Sequence, residues 1–250
     1  VLKQAWIVSF IRFPMLVVSL FMMFLIFSFS GLEFQFPFLP EMSTLYFTVV
    51  NILCFFLLHR IVKNEGRSIK ELTGYKRERL RKDILFGFLW LFTLFIPFVL
   101  TVMGVMFVIY GADMFQQFEA VFAGEGAVLY ERPWWLMYFA SIISLLFPIF
   151  NAPIEELMYR GYAQPIFMKH YNKMWIGILI PSIGFALQHT MLAATFEGAF
   201  IYAAAFFVWG IGSGINFHKQ QRLFPLIICH FLVNISFSIF PIPFLVMGIY

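Results

Sequence analysis

What most constrains this chain is a series of apolar runs, each near the length that crosses a bilayer. They fall near residues 13–32, 44–62, 84–110, 134–152, 174–193, 198–216 and 224–240. A hydrocarbon core of roughly 30 Å is crossed by about 20 apolar residues in a helix. Lipid offers no partner to an unpaired backbone group, so each run is expected to be helical. An eighth segment, near 153–169, is only half apolar. The expected fold is all-α, a polytopic membrane bundle of seven or eight transmembrane helices. Composition leaves little else open: 62% of the 250 residues are hydrophobic and 12% are charged, too few charges to cover a soluble domain of this size. The stretch Phe13–Gly31 is too long for the apolar region of a signal peptide and lacks a small-residue cleavage site. It reads as a spanning helix.

Charge placement predicts an orientation. The connection Lys63–Asp83 (KNEGRSIKELTGYKRERLRKD) sets Lys63, Arg67, Lys70, Lys76, Arg77, Arg79, Arg81 and Lys82 against Glu65, Glu71, Glu78 and Asp83. By the positive-inside bias this loop is cytoplasmic. Glu33–Glu41 and Asp113–Arg132 are acidic and fit the outer face, while Lys169–Lys173 and His218–Arg222 are basic and fit the inside. The alternation puts the N-terminus, with Lys3 and Arg12, in the cytoplasm of a multi-pass cell-membrane protein. Short loops and compact length point to a bacterial one. Anionic lipid or nucleic acid could meet the 63–83 loop, but topology alone accounts for it, and no nucleic-acid partner is expected. Trp134, Trp135 and Trp175 fall where helices enter the membrane, as interfacial anchors do. Cys54 and Cys229 lie inside apolar runs and read as small buried hydrophobes without a disulfide role.

Ionisable side chains within spanning segments are costly, which makes each a functional candidate. Three clusters qualify: Glu155-Glu156-Leu157-Met158-Tyr159-Arg160, directly after Pro153; Phe185-Ala186-Leu187-Gln188-His189; and His230-Phe231-Leu232-Val233-Asn234. Glu156 and Arg160 are i,i+4 and can pair on one helix face. Glu155 lies about 100° around the helix and is free to point elsewhere. His230 and Asn234 are again i,i+4, so both can project into one cavity. Pro153 suits the first turn of a helix beginning near Asn151, where a carboxylate would meet the positive end of the helix dipole. Each cluster alone could be packing, an ion pair locking helices or a hydrogen-bonded histidine. Gln188 and Asn151 flank the motifs and can orient their neighbours. Gly210, Gly212 and Gly214 permit close helix approach.

The pattern Glu155-Glu156-x-x-x-Arg160, then Phe185-x-x-x-His189, then His230-x-x-x-Asn234, with Gly161 after the arginine, resembles the CPBP family. That family comprises CAAX prenyl endopeptidases and bacteriocin-processing enzymes, also called Abi proteins. The resemblance covers roughly 134–240. It divides the chain into N-terminal transmembrane helices over 1–133, carrying the basic loop 63–83, and a catalytic core over 134–250. It implies an intramembrane endopeptidase that is metal-independent and needs no cofactor. Glu155 would be the general base that activates water, and His189 would share that water. His230 and Asn234 would donate hydrogen bonds to the oxyanion, while Glu156 and Arg160 would hold the helix. Substrates would be peptides or membrane-associated proteins, met within the lipid bilayer. The physics is compatible, because a poorly hydrated carboxylate is a stronger base than a solvated one and donors in a low-dielectric cavity stabilise developing charge.

Two alternatives use the same residues. Glu155 or Glu156 with His189 and His230 could hold a catalytic zinc through mixed N/O ligands, although the usual HExxH helix is absent and Asn234 suits an oxyanion donor better. A non-catalytic scaffold or immunity protein could instead bind a membrane-protein partner in the bilayer. One geometric conflict also stands. Hydropathy puts Glu155 near the cytoplasmic end of its helix, whereas His189 lies about 24 Å along an ideal helix from Lys173. The expected resolution is that Pro153 starts a separate, tilted or re-entrant helix over 153–169, shielded from lipid.

Overall fold

The computed structural model describes residues 1–32, 40–123, 133–239 and 241–248. Most of the acidic segment at Glu33–Glu41, and positions 124–132 of the segment Asp113–Arg132, lie outside the described residues. The described residues are helical throughout, with no strand.

The first half of the chain forms α1 (Leu2–Phe10), α2 (Arg12–Phe29), α3 (Pro40–Asn64), the short α4 (Ile69–Thr73), α5 (Leu80–Tyr110) and the short α6 (Phe118–Ala123). The second half forms α7 (Trp134–Glu156), a π-helical stretch Leu157–Ala163, α8 (Gln164–Tyr171), α9 (Met174–His189), α10 (Phe196–Gln220), α11 (Phe224–Ser238) and the short α12 (Pro241–Val246). Among the described residues, six segments are long and apolar enough to cross a membrane, and α11 is a shorter apolar helix beside them. Such a set belongs to a multi-pass membrane protein. The side chains of Trp134, Trp135 and Trp175 are exposed on the outside of the bundle, while Cys54 and Cys229 are buried and free.

The segment 153–169 is not a separate helix. Residues Trp134–Tyr171 run as one helical span, and Pro148 and Pro153 lie inside α7 rather than at a helix start. A proline in a helix interior removes one backbone donor and crowds the preceding turn. Here the helix continues past it and widens into the π stretch four residues later. The dipole argument for Glu155 therefore fails, because that residue sits deep within a continuous helix. The expected shielding of 153–169 holds for the π stretch, every residue of which is buried, but not for Pro165 and Lys169, which are exposed.

The continuous helix also removes the conflict in depth. Glu155 precedes Tyr171 by 16 residues and His189 follows Met174 by 15, or about 24 Å and 22 Å of helix. α8 and α9 are antiparallel arms of one hairpin, so both residues reach the same level from the same turn. α10 then folds back on α9. A Cβ on Gly210 would meet Ser182 at 2.9 Å, one on Gly214 would meet Ile178 at 2.9 Å, and one on Gly212 would meet Leu94 of α5 at 2.6 Å. Small residues let the backbones approach on both faces of α10.

The N-terminal helices wrap this core. α1 lies against α8 and α9, with Trp6 edge-on to Phe167 at 5.1 Å. α3 runs beside α7; near one of its ends the Tyr46 hydroxyl donates to the Met191 carbonyl, just past α9, at 3.0 Å, and near the other the Tyr162 hydroxyl of the π stretch donates to Glu65, just past α3, at 2.5 Å. Asp83 does not belong to the solvated loop. It is fully buried and bonded to Arg222, tying the start of α5 to the segment before α11. The other charges of 63–82 are exposed apart from the half-buried Glu65. α4 is held by a capping box in which the Ser68 side chain accepts from the Glu71 amide, and Gly74 closes the helix in the left-handed region at φ +61°.

Candidate active site

The three sequence clusters meet. Glu155 and Glu156 come from the end of α7, His189 from the end of α9, and His230 and Asn234 from successive turns of α11. All are buried: Glu155 is 0% exposed, Glu156 1%, His230 4%, His189 5% and Asn234 8%. The two glutamates share the work as neighbours on a helix must, facing different partners.

Glu156 faces the structural side. Its Oε1 accepts from Arg160 at 3.2 Å and from Nδ1 of His230 at 3.0 Å. Arg160 also donates to the Gly210 carbonyl at 3.4 Å, and its guanidinium lies 4.4 Å above the Phe185 ring. One carboxylate oxygen thus joins α7, the π stretch and α11, and Arg160 extends the tie to α10. The i,i+4 pair expected from spacing is present, with the addition of His230.

Glu155 faces the histidines and Arg12. Its Oε1 accepts from Arg12 at 2.9 Å, while its Oε2 has no hydrogen-bond partner among the described residues. That free oxygen lies 3.9 Å from Nε2 of His189 and 3.6 Å from Nε2 of His230. Those separations exceed a direct hydrogen bond and suit a bridging water.

The opposite ring nitrogens explain why the gap needs a donor. Nδ1 of His189 lies 2.7 Å from the Phe185 carbonyl, which can only accept, so that nitrogen carries the proton. Nδ1 of His230 faces the Glu156 carboxylate in the same way. In each neutral ring Nε2 is then a lone pair. Two imidazole lone pairs and one carboxylate oxygen converge, and the two O–H donors of a water can serve the carboxylate and one imidazole. Asn234 Nδ2 is a buried donor without a partner among the described residues. His189 is held flat by Phe206, whose ring stacks on it at 3.7 Å and 14°, with Phe185 tilted against it at 4.5 Å. Among the described residues, no group of three or more His, Cys, Asp or Glu side chains has the geometry to hold a metal ion.

Sequence reasoning missed Arg12 and Asn51. Arg12, which charge placement groups with the N-terminal cytoplasmic cations, is fully buried. Besides Glu155, its guanidinium donates to Asn51 at 2.8 Å, to Asn151 at 3.2 Å and to the Gln188 side chain. A signal was present: between Lys3 and Glu33, Arg12 is the lone charged residue in an apolar run. Asn51 is likewise the lone amide in the apolar run of α3.

Comparison with known proteins adds an independent finding. A family model described as type II CAAX prenyl endopeptidase Rce1-like matches residues 133–236. No curated protein and no solved structure matches the chain. The matched span contains Glu155, Glu156, Arg160, His189, His230 and Asn234, and leaves Arg12 and Asn51 outside it. Residues 133–236 are thus a domain of the Rce1-like type II CAAX prenyl endopeptidase family, a family of proteases.

Proposed function

We propose that this protein is an intramembrane endopeptidase in which Glu155 activates water for attack on a peptide carbonyl. The observation that carries this reading is the unbonded Glu155 Oε2, facing two Nε2 lone pairs at 3.6 and 3.9 Å in a buried site. A water there donates one hydrogen to Glu155 and the other to an imidazole, which leaves an oxygen lone pair free to attack. As the water adds to the carbonyl carbon, its proton passes to Glu155. The C–N bond then breaks, and that proton goes to the departing amine nitrogen. The carbonyl oxygen becomes an oxyanion, for which Asn234 Nδ2 is an uncommitted donor. His230 turns Nε2 toward the same site, 3.6 Å from Glu155 Oε2, and is the second side chain assigned to the oxyanion on this reading. Glu156 and Arg160 hold this arrangement and do not react. The N-terminus and the 63–83 loop lie in the cytoplasm on this reading, and substrates are peptides or membrane proteins.

The test uses purified protein in proteoliposomes, presented with a panel of fluorogenic membrane-spanning peptides and peptides ending in a farnesylated cysteine motif. Wild type is expected to cleave at least one. Glu155→Gln and His189→Ala should lose about 100- to 10,000-fold in rate, the range for removal of a general base; His189→Ala should keep its melting temperature, whereas Glu155→Gln, still folded, should melt lower because Arg12 loses its carboxylate. Normal turnover by either variant removes the mechanism. A parallel series with EDTA and phenanthroline should leave the rate unchanged, and loss restored by added zinc would point to metal chemistry. Complementation of a deletion strain by Glu155→Gln would favour a non-catalytic scaffold.

A further inference from the structure

The N-terminal helices contribute more than a membrane anchor. Arg12 sits at the start of α2, outside the matched domain, yet four of its N–H donors reach four acceptors on three other helices: Asn51 on α3, Asn151 and Glu155 on α7, and Gln188 on α9. From these contacts we infer that Arg12 is a positioning residue for Glu155, which orients the carboxylate and ties it to His189. The inference rests on the protease reading given above.

Three features carry it. First, a carboxylate has two oxygens, and pinning Oε1 fixes the rotation that turns Oε2 toward the two histidines. Second, the other partners adjoin reacting groups rather than scattered packing positions. Asn151 lies one turn before Glu155, and Gln188 is the residue before His189, so a single planar fork indexes both helices that supply the gap. An arginine fork holds several acceptors in fixed directions, which a lysine ammonium cannot reproduce. Third, the hub is expensive for a mere fastener. A fully buried ion pair often stabilises a fold no better than apolar side chains of similar volume, and apolar neighbours abound here. Asn51 Nδ2 and Gln188 Nε2 remain buried without partners among the described residues, a further cost of turning both amide oxygens onto Arg12.

The experiment uses the full chain in proteoliposomes and the panel peptide that wild type cleaves fastest. Arg12→Lys keeps a charge at the position and is expected to fold. Its kcat should fall about 100-fold, the scale of an ångström misplacement of a reacting group, with KM unchanged. Arg222→Lys, which alters an ion pair remote from the gap, should leave kcat unchanged. A thermal cycle supplies the second readout: Arg12→Met should lower the melting temperature, and Arg12→Met/Glu155→Gln should recover most of the loss, because the unpaired charge is gone. A folded Arg12→Lys with wild-type kcat overturns the inference. If Arg12→Lys does not fold, the cycle decides, and additive losses overturn it. If wild type cleaves no panel peptide, the protease reading fails at that point, and the thermal cycle still reports on the Arg12–Glu155 pair by itself.

Discussion

Replacing Gly184 by alanine is a small change with a calculable consequence. A Cβ at that position would lie 1.8 Å from the carbonyl oxygen of Ser9 on α1. That neighbour is backbone, so no side chain can swing aside. Ordinary contact begins near 3.4 Å, and α1 must therefore withdraw from α9 by about 1.6 Å. Ser9 is three residues before Arg12, whose bonds to Asn51 and Glu155 measure 2.8 and 2.9 Å. A shift of about 0.6 Å already carries them to the outer limit of a hydrogen bond, so the full displacement breaks them. Overpacking of this kind costs about 1–3 kcal/mol, and loss of the Glu155 orientation should lower kcat by about 100-fold. Thermal unfolding in detergent gives the first quantity and initial cleavage rates in proteoliposomes the second. Gly104→Ala is the control, since nothing lies within 4 Å of a Cβ there. It should be neutral or stabilise by up to about 1 kcal/mol. A Gly184→Ala protein that melts and cleaves like wild type would refute the reasoning.

Arg160→Ala leaves the buried Glu156 without its guanidinium and should cost about 3–5 kcal/mol, visible as a collapse in folded yield together with activity. Asp83→Ala strands Arg222 at the far end of the bundle. It should lower stability by about 1–3 kcal/mol in thermal melts while folded protein keeps its kcat. Phe206→Ala removes the ring stacked on His189 at 3.7 Å and should lower kcat by about 10-fold with little change in KM, since a loosened imidazole spends less time aligned.

Much of this arrangement was legible in the residues themselves. Six of the seven apolar blocks reappear as helices long enough to span and the last as the shorter α11, and the i,i+4 rule found the Glu156–Arg160 pair because both partners lie on one stretch of helix. What failed has a physical pattern. Pro153 reads as a helix start in water, but inside a bundle the helix continues through it, and only that continuity brings Glu155 level with His189. Arg12 reads as an inside-positive charge because it lies near the N-terminus. Its true partners are 39 to 176 residues away in sequence, and no local spacing encodes such contacts. The direction of each imidazole was equally hidden, since it depends on the Phe185 carbonyl for His189 and on Glu156 for His230.

A single-turnover cleavage in ¹⁸O-labelled water, with product masses read by mass spectrometry, tests the claim on which the account turns. If Glu155 primes a water held between the two histidines, the new carboxyl terminus carries one ¹⁸O atom from the first turnover, and Glu155→Gln forms no product. Unlabelled product in that first turnover, or labelled product from Glu155→Gln at the wild-type rate, would contradict it.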